Sequence, residues 1–552
     1  MQNTRRDRPE LGTVFWVSVA VSLAFILWGV FFTASFGAVT QAVFDWVVSN
    51  LGWFYLLVGS FFLGFVAFLA LSRYGKLRLG KEGDRPEFSR FAWFAMLFQA
   101  GMGPGLIFWG VAEPLAHYTN PPFDLAPSNT ADAAQVAIQY SFFHWTLHPW
   151  AMYAVVGLAV GYFSFRRDEP GLISPVFRPL LGSRVDGPWG KTIDIMAVLA
   201  VLFGVAVALG SAGLQITAGL GETFGIPTGI VTQLLVIGIT TVAFMISAST
   251  TIDKGVNYLS QISMFVAPIL LVFFLIVGPT ANQLGALTQG IGDYLSNIIS
   301  MSFRLDSFDQ DTAWLSSWTV FYWSWWIAWC PYVGLFVARI SRGRTIREFV
   351  LGTVIVPSVV TMLWFAVFGG AAIHLEQTRG GGIAERVTAD PAVGTFVFLE
   401  QYPLAFVMSI LTLVILWIFF VAGADAGTIV LGGMSTGGVQ EPKRWIKLTW
   451  GVAMVAIAGI LLVVGGLGAL QSASVLTGLP FAFIMLVMCV AFYKHITKEA
   501  RGGGGQGKQE GKEDVNVADL AREASAGEPA PDRDRRPGVR RRGIGRPGAE
   551  GR

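Results

Sequence analysis

The chain has 552 residues, 53% of them hydrophobic, 13% aromatic and only 14% charged, with a mean hydropathy of +0.57. A soluble globular protein of this length carries more charge, so the composition places the chain in a membrane. The formal net charge of +3 says little, because the charges are segregated, and it calls for no nucleic-acid partner.

Apolar runs predict twelve spans, at about 13–35, 52–72, 91–112, 132–163, 192–220, 227–248, 258–280, 312–338, 348–374, 397–431, 446–468 and 472–494. Most hold the roughly 20 apolar residues that a ~30 Å hydrocarbon core requires. The first run is long enough to span and lacks a small-residue cleavage site, so it reads as a helix rather than a signal peptide. Residues 284–311 read as an amphipathic helix along the outer surface. Cys330 and Cys489 both lie inside apolar runs, which excludes a disulfide framework or a cysteine metal cluster.

The loops orient the bundle. One side carries Arg5, Arg6, Arg8, the basic stretch from Arg73 to Arg90, Arg166, Arg167, Arg178, Arg184, Lys191, Lys254, the run Arg339, Arg342, Arg344, Arg347, and Lys443, Arg444, Lys447. The other side carries Arg304, Arg379 and Arg386. The positive-inside rule puts both termini in the cytoplasm of a cell whose plasma membrane the chain crosses. Residues 1–12 and 498–552 are then cytoplasmic tails. The second, with a short charged helix at 513–525 and an arginine-rich end from Arg533, is expected to be disordered and weakly attracted to anionic lipid.

Within the third span, Gly101-Met-Gly-Pro-Gly105 concentrates helix breakers. Unwound backbone inside a membrane is tolerated where it lines a cavity, and secondary transporters bind substrate and ions there. Gly101, Met102 and Gly103 are therefore candidate substrate contacts, the alternative being a glycine packing face. Glu113, further along this span, and Asp425, in the tenth, are acids at membrane depth and hence functional candidates. Asp425 reads equally as a structural hydrogen-bond hub. In the fourth span, Phe143-His-Trp-Thr-Leu-His-Pro-Trp-Ala-Met-Tyr153 puts Trp145, Tyr153 and Trp150 at about 0°, 80° and 140° around a helix. His144 and His148 share a face at i, i+4 but lack a third ligand, so structural hydrogen bonding outweighs a metal, and His148 is a candidate for proton handling.

The eighth span is the densest in tryptophan. Trp314, Trp318, Tyr322, Trp325, Trp329 and Tyr332 fall within about 80° on one helical face, with Trp326 about 60° beyond Trp329 and Trp323 about 180° from Trp314. An interfacial belt sits at helix ends, whereas this stripe runs about 22 Å along the axis. Trp314 and Trp318 are expected to face lipid. Trp326 and Trp329 form an aromatic corner suited to a quaternary ammonium group, which donates no hydrogen bond and is attracted by ring quadrupoles.

Trp323-Ser-Trp-Trp-Ile-Ala-Trp329-Cys-Pro-Tyr-Val-Gly334 and Ala338-Arg-Ile-Ser-Arg-Gly-Arg-Thr-Ile-Arg-Glu-Phe349 closely resemble the signature of the betaine/choline/carnitine transporter family, as do Phe108-Trp-Gly-Val-Ala-Glu-Pro114 and Val421-Ala-Gly-Ala-Asp-Ala-Gly427. The resemblance covers roughly residues 13–497. Pro104 and Thr146 depart from it, standing where an aliphatic residue and a glycine are expected. It implies an all-α fold with a five-helix inverted repeat: two peripheral helices and a loop in 13–90, one repeat in 91–283, the surface helix, and a second repeat in 312–497. It also implies a homotrimer, a substrate box of Trp145, Trp150, Tyr153, Trp326 and Trp329, and an outer access path past Trp323 and Tyr332.

The resemblance further implies where sodium would sit. The hydroxyl residues that hold one ion in sodium-coupled members read here as Ala422 and Gly423, and those that hold a second read as Val201 and Val205. Carbonyls near Gln99, Met102 and Phe419 supply too few oxygens for a hard cation. Coupling without obligatory sodium follows, with protons moving through Asp425, Glu113 or His148 as the leading replacement and exchange or uniport as alternatives. The expected function is import of a quaternary ammonium solute, glycine betaine first and choline or carnitine next. The rivals are a sodium-coupled betaine symporter and, in a different class, a membrane osmosensor. No nucleophile–base pair marks an enzyme, and no cofactor or metal is expected.

Overall fold

The computed structural model describes residues 11–101, 103–249, 266–305, 313–380 and 382–509. Lys254, Met102 and the tail beyond residue 509, including the predicted helix at 513–525, lie outside them. The described chain is helical, its strand-like pairing limited to a single bridge between Arg78 and Thr345. Eight described helices are long and apolar enough to cross a membrane, or nine if α9 (Val266–Val277) and α10 (Thr280–Ser302), bent by 111° at their junction, form one span.

The first two helices are α1 (Thr13–Phe31) and α2 (Thr33–Leu71), separated only by Phe32. The second span thus begins well before the predicted residue 52. Residues 33–51 contain no proline and only Asp45 as a charge, and Phe36, Val47 and Val48 are buried, so the helix runs on unbroken. The third and fourth predicted spans are each interrupted. α3 (Arg90–Gly101) gives way to α4 (Pro104–Thr119) through an extended Gly103, with Pro104 at the first helical position. α5 (Ala131–Trp145) gives way to α6 (Leu147–Arg167) at Thr146, whose φ −117° and ψ −109° are far from helical. Pro149 explains the second break, because it cannot donate to the carbonyl of Trp145 and its ring crowds that carbonyl.

The remaining spans are α7 (Pro188–Phe224), α8 (Ile230–Ser249), α11 (Ala313–Arg339), α12 (Ile346–Arg379), α13 (Ala405–Ser435) and α14 (Arg444–Gln509), the last broken at Gly465 and Gly466 between its two predicted spans. α10 begins at Thr280, slightly before the predicted surface helix, and packs on α5 and α12. Among the described pairings, α6 packs extensively on α11 and α7 on α13.

On the basic side, the loop before α12 is tied to the loop after α2. Ile346 N donates to Leu77 O and Leu79 N to Arg344 O. The Arg344 guanidinium is 1% exposed, lies 3.9 Å from the Trp93 ring centroid, and donates to Glu348 (2.8 Å) and to Phe88 O (2.9 Å). Burial draws its pKa down while Glu348 opposes the shift. Glu348 stays partly exposed, which moderates the pair, so Arg344→Ala is expected to remove about 2 kcal/mol of stability. The check is a lowered melting temperature in detergent, and an unchanged one would refute the assignment.

Candidate functional site

At the centre of the bundle a cavity of about 70 Å³ is lined by Gly103, Pro104, Gly105 and Leu106 of the α3–α4 break, Trp145, Pro149, Trp150 and Tyr153 of α5 and α6, and Trp325, Trp326 and Trp329 of α11, with Ala208 and Thr361 completing it. Five of the predicted aromatic contacts thus meet around one space, together with Gly103. Trp326 stacks between Trp325 (5.0 Å) and Tyr322 (5.9 Å) and receives the edge of Trp145 at 4.9 Å. Trp150 and Tyr153 meet edge to face at 5.6 Å. Perpendicular rings of this kind present quadrupole faces in several directions, the arrangement a compact cation without hydrogen-bond donors requires.

Backbone contacts fix the indoles. Trp326 Nε1 donates to His144 O and Trp329 Nε1 to Gly204 O, both at 2.9 Å. Gly105 permits the approach of α4: a Cβ there would stand 2.9 Å from Trp325 Cη2 and 3.3 Å from Trp145 Cη2.

Behind the cavity lies a buried polar cluster. Glu113 Oε2 accepts from Trp145 Nε1 and from Tyr322 OH, both at 2.6 Å, while its Oε1 bonds His144 Nδ1 (2.7 Å) and His117 Nε2 (3.3 Å). His144 Nε2 and the Thr319 hydroxyl share a further bond of 2.9 Å. The carboxylate and both imidazoles are fully buried. Their ligand atoms all lie within 4.8 Å of one another, as a metal group would. Donors on a tetrahedral zinc stand about 3.3 Å apart, however, and the 2.7 Å between Glu113 and His144 is the spacing of a shared proton.

The other predicted residues lie elsewhere. Trp323 is fully buried against His148 (5.2 Å, near-parallel rings) and close to Gly59 of α2, away from the cavity. Tyr332 is not among the described residues lining the cavity; it packs on Trp329, edge to face at 5.1 Å. His148 Nε2 pairs with Ser302 Oγ at 3.1 Å, so the break at Thr146 sends the two histidines of this segment to different partners. Asp425 and Phe419 lie part-buried on α13. Gly101 ends α3, and Gln99 is on that helix. Trp314 and Trp318, expected to face lipid, pack instead on the ring of His117, at 5.2 and 4.5 Å. They share the helical face that carries Trp325 and Trp329 inward, and a π-turn covers Ser316–Val320 along the way to those residues.

Sequence reasoning missed Trp325, Leu106, Pro149, Ala208 and Thr361 as cavity walls, and His117 and Tyr322 as partners of Glu113. The i, i+4 spacing of Glu113 and His117 was the available signal for one of them. Ala208 and Thr361 come from helices distant in sequence and carried none.

A model of the betaine/carnitine/choline transporter family matches residues 13–501. The chain is 45% identical over 496 residues to the glycine betaine transporter OpuD of Bacillus subtilis (strain 168), an alignment covering 89% of this chain and 96% of that protein. It is 41% identical over 485 residues to the ectoine/hydroxyectoine transporter of Virgibacillus pantothenticus, covering 88% and 96%. Against the high-affinity choline transport protein of Escherichia coli (strain K12) the identity is 38% over 499 residues, covering 90% and 73%.

Proposed function

The chain belongs to the betaine/carnitine/choline transporter family, and we propose that it imports glycine betaine across the plasma membrane by holding the trimethylammonium group among Trp145, Trp150, Tyr153, Trp325, Trp326 and Trp329. The observation that carries the reading is the convergence of these rings on one cavity. The same cavity is edged by Gly103, Pro104 and Gly105 at the N-terminus of α4, where the helix dipole suits the betaine carboxylate. Among the described residues no aspartate or glutamate lines it, which favours a zwitterion over a bare cation. Choline transport is the second reading, supported by Glu113 directly behind Trp145 and by the choline-transporting relative. Uptake of labelled betaine into proteoliposomes tests the reading: saturable accumulation supports it, and binding without accumulation points to an osmosensor instead.

Twelve spans fit the described helices if the broken pairs α3–α4 and α5–α6 count once each, α9 contributes one and α14 two. The inverted repeat of 91–283 and 312–497, the cytoplasmic termini and the homotrimer belong to the same reading, with anionic lipid as a partner of the charged tail.

Transport is proposed to run without obligatory sodium. Val201 and Val205 are buried, and Val205 Cγ1 stands 3.3 Å from where a Cβ on Gly427 would be, so hydrocarbon packs between α7 and α13. Ala422 and Gly423 offer no side-chain oxygen, and the Gly204 carbonyl already accepts from Trp329. A hard cation needs several oxygens, and these positions withhold them. Asp425, Glu113 and His148 are the proton-coupling candidates. Betaine uptake at fixed membrane potential is expected to be unchanged when potassium replaces sodium, and to respond to an imposed pH gradient. Saturable activation by millimolar sodium would overturn the proposal.

A further inference from the structure

The Glu113 side chain is fully buried, accepts from Trp145 and Tyr322, and bonds His144 and His117. Among the described residues no lysine or arginine pairs with it; its ion-pair partners are the two histidines. An indole N–H can only donate, and the Tyr322 hydroxyl donates to the same oxygen, so Oε2 carries two donors at 2.6 Å, a short, charge-assisted geometry. His117 Nδ1 is buried and has no partner. A protonated His117 would leave an orphaned N–H there, which is rarer and costlier than a bare lone pair, so His117 does not supply the positive charge. With His144 as the neutral tautomer that gives its Nδ1–H to Oε1 and accepts the Thr319 hydroxyl at Nε2, the cluster holds a carboxylate with hydrogen bonds in plenty and no fixed cation opposite it.

What separates this carboxylate from the cavity is one indole. Trp145 gives its N–H to Glu113, and its ring lines the cavity and packs edge-on against Trp326. Tyr322, bonded to the same oxygen, stacks on Trp326 from behind, and the Trp326 N–H is taken by the His144 carbonyl. The bonds from Trp145 and Tyr322 end on the carboxylate and that from Trp326 on a backbone carbonyl; each ring gives up hydrogen-bond charge to its acceptor and is left more electron-rich. In a site from which water is excluded, a charge so placed is felt across the ring.

We propose that Glu113 is an electrostatic positioning residue, and that the quaternary ammonium of the substrate, bound on the far side of Trp145, is its countercharge. This rests on the cavity being the quaternary ammonium site. It assigns selectivity for a cationic head group to a residue that never touches the substrate, and it separates two jobs: the rings fit the shape of the trimethylated head, and Glu113 reads its charge. The α4 N-terminus remains free for the betaine carboxylate.

Charge and shape can be separated with a pair of ligands of the same size. Choline and its neutral carbon isostere 3,3-dimethylbutan-1-ol differ at one atom and in charge. Binding of betaine, choline and the isostere to the purified full-length transporter would be measured by competition against labelled betaine. Glu113→Gln is expected to weaken betaine and choline at least tenfold while leaving the isostere within twofold. Equal weakening of all three ligands would show that Glu113 only props up the rings and would overturn the proposal, as would no change in any of them. Glu113→Asp keeps the charge and decides the matter if the glutamine variant does not fold. It is expected to retain the choline-to-isostere ratio within threefold even where its melting temperature drops, and a tenfold fall in that ratio overturns the proposal. Tyr322→Phe, which removes one bond but no charge, should also preserve the ratio. Wild-type protein that binds neither betaine nor choline would instead sink the functional reading beneath this one.

Discussion

Betaine affinity is expected to fall five- to thirtyfold in Trp329→Leu, with the protein still folded. Trp329 faces the cavity from α11, and its indole is held by the Gly204 carbonyl of α7. Leucine fills much of the volume but removes a quadrupole face worth about 1–2 kcal/mol to a desolvated cation. It also leaves the Gly204 carbonyl without its donor, but that carbonyl belongs to a helix and keeps backbone partners, so the larger loss falls on the ligand. Trp329→Phe retains a ring and should recover part of the affinity. Isothermal titration with betaine checks both, and normal affinity in a folded Trp329→Leu protein would remove Trp329 from the site.

Gly334→Leu is expected to abolish most uptake although it replaces none of the aromatic residues of the site. The α6–α11 pair crosses at Gly157 and Gly334, where a Cβ on Gly334 would stand 2.6 Å from Val156 Cγ1 and 3.2 Å from the backbone nitrogen of Gly157. Small residues let membrane helices approach this closely, and a branched side chain forces them apart. α6 carries Trp150 and Tyr153, and α11 carries Trp325, Trp326 and Trp329, so separation opens the cavity from both walls. Overpacking at such a contact costs about 1–3 kcal/mol, and displacement of several rings should lower uptake more than tenfold. Val156→Gly removes both the Cγ1 at 2.6 Å and the Cβ at 2.7 Å and should restore part of the melting temperature in the double variant. Wild-type melting and uptake in Gly334→Leu would show that the crossing is looser than these distances imply.

Much of this was legible in the chain. Apolar run length identified membrane helices because a bilayer imposes a length and forbids unpaired backbone, constraints that act on each segment alone. The same locality made the break at Gly101–Gly105 readable, since glycine and proline act on their own backbone. Trp145, Trp150, Tyr153, Trp326 and Trp329 could be singled out because aromatic residues concentrated at membrane depth need a reason beyond lipid.

Partnership was decided only in three dimensions. Trp314 and Trp318 pack on His117 rather than lipid, because the face they share with Trp325 and Trp329 meets α4 there, a neighbour that the spacing within one helix does not name. Residues 33–51 extend α2 although only Phe36, Val47 and Val48 of them are buried, so the packing that marks this stretch as helix is sparse. Glu113 was a candidate from its depth, but its four partners come from α4, α5 and α11. A helix fixes neighbours three and four residues away; a buried carboxylate takes its donors from whichever helices pack beside it, and that packing is a property of the whole bundle.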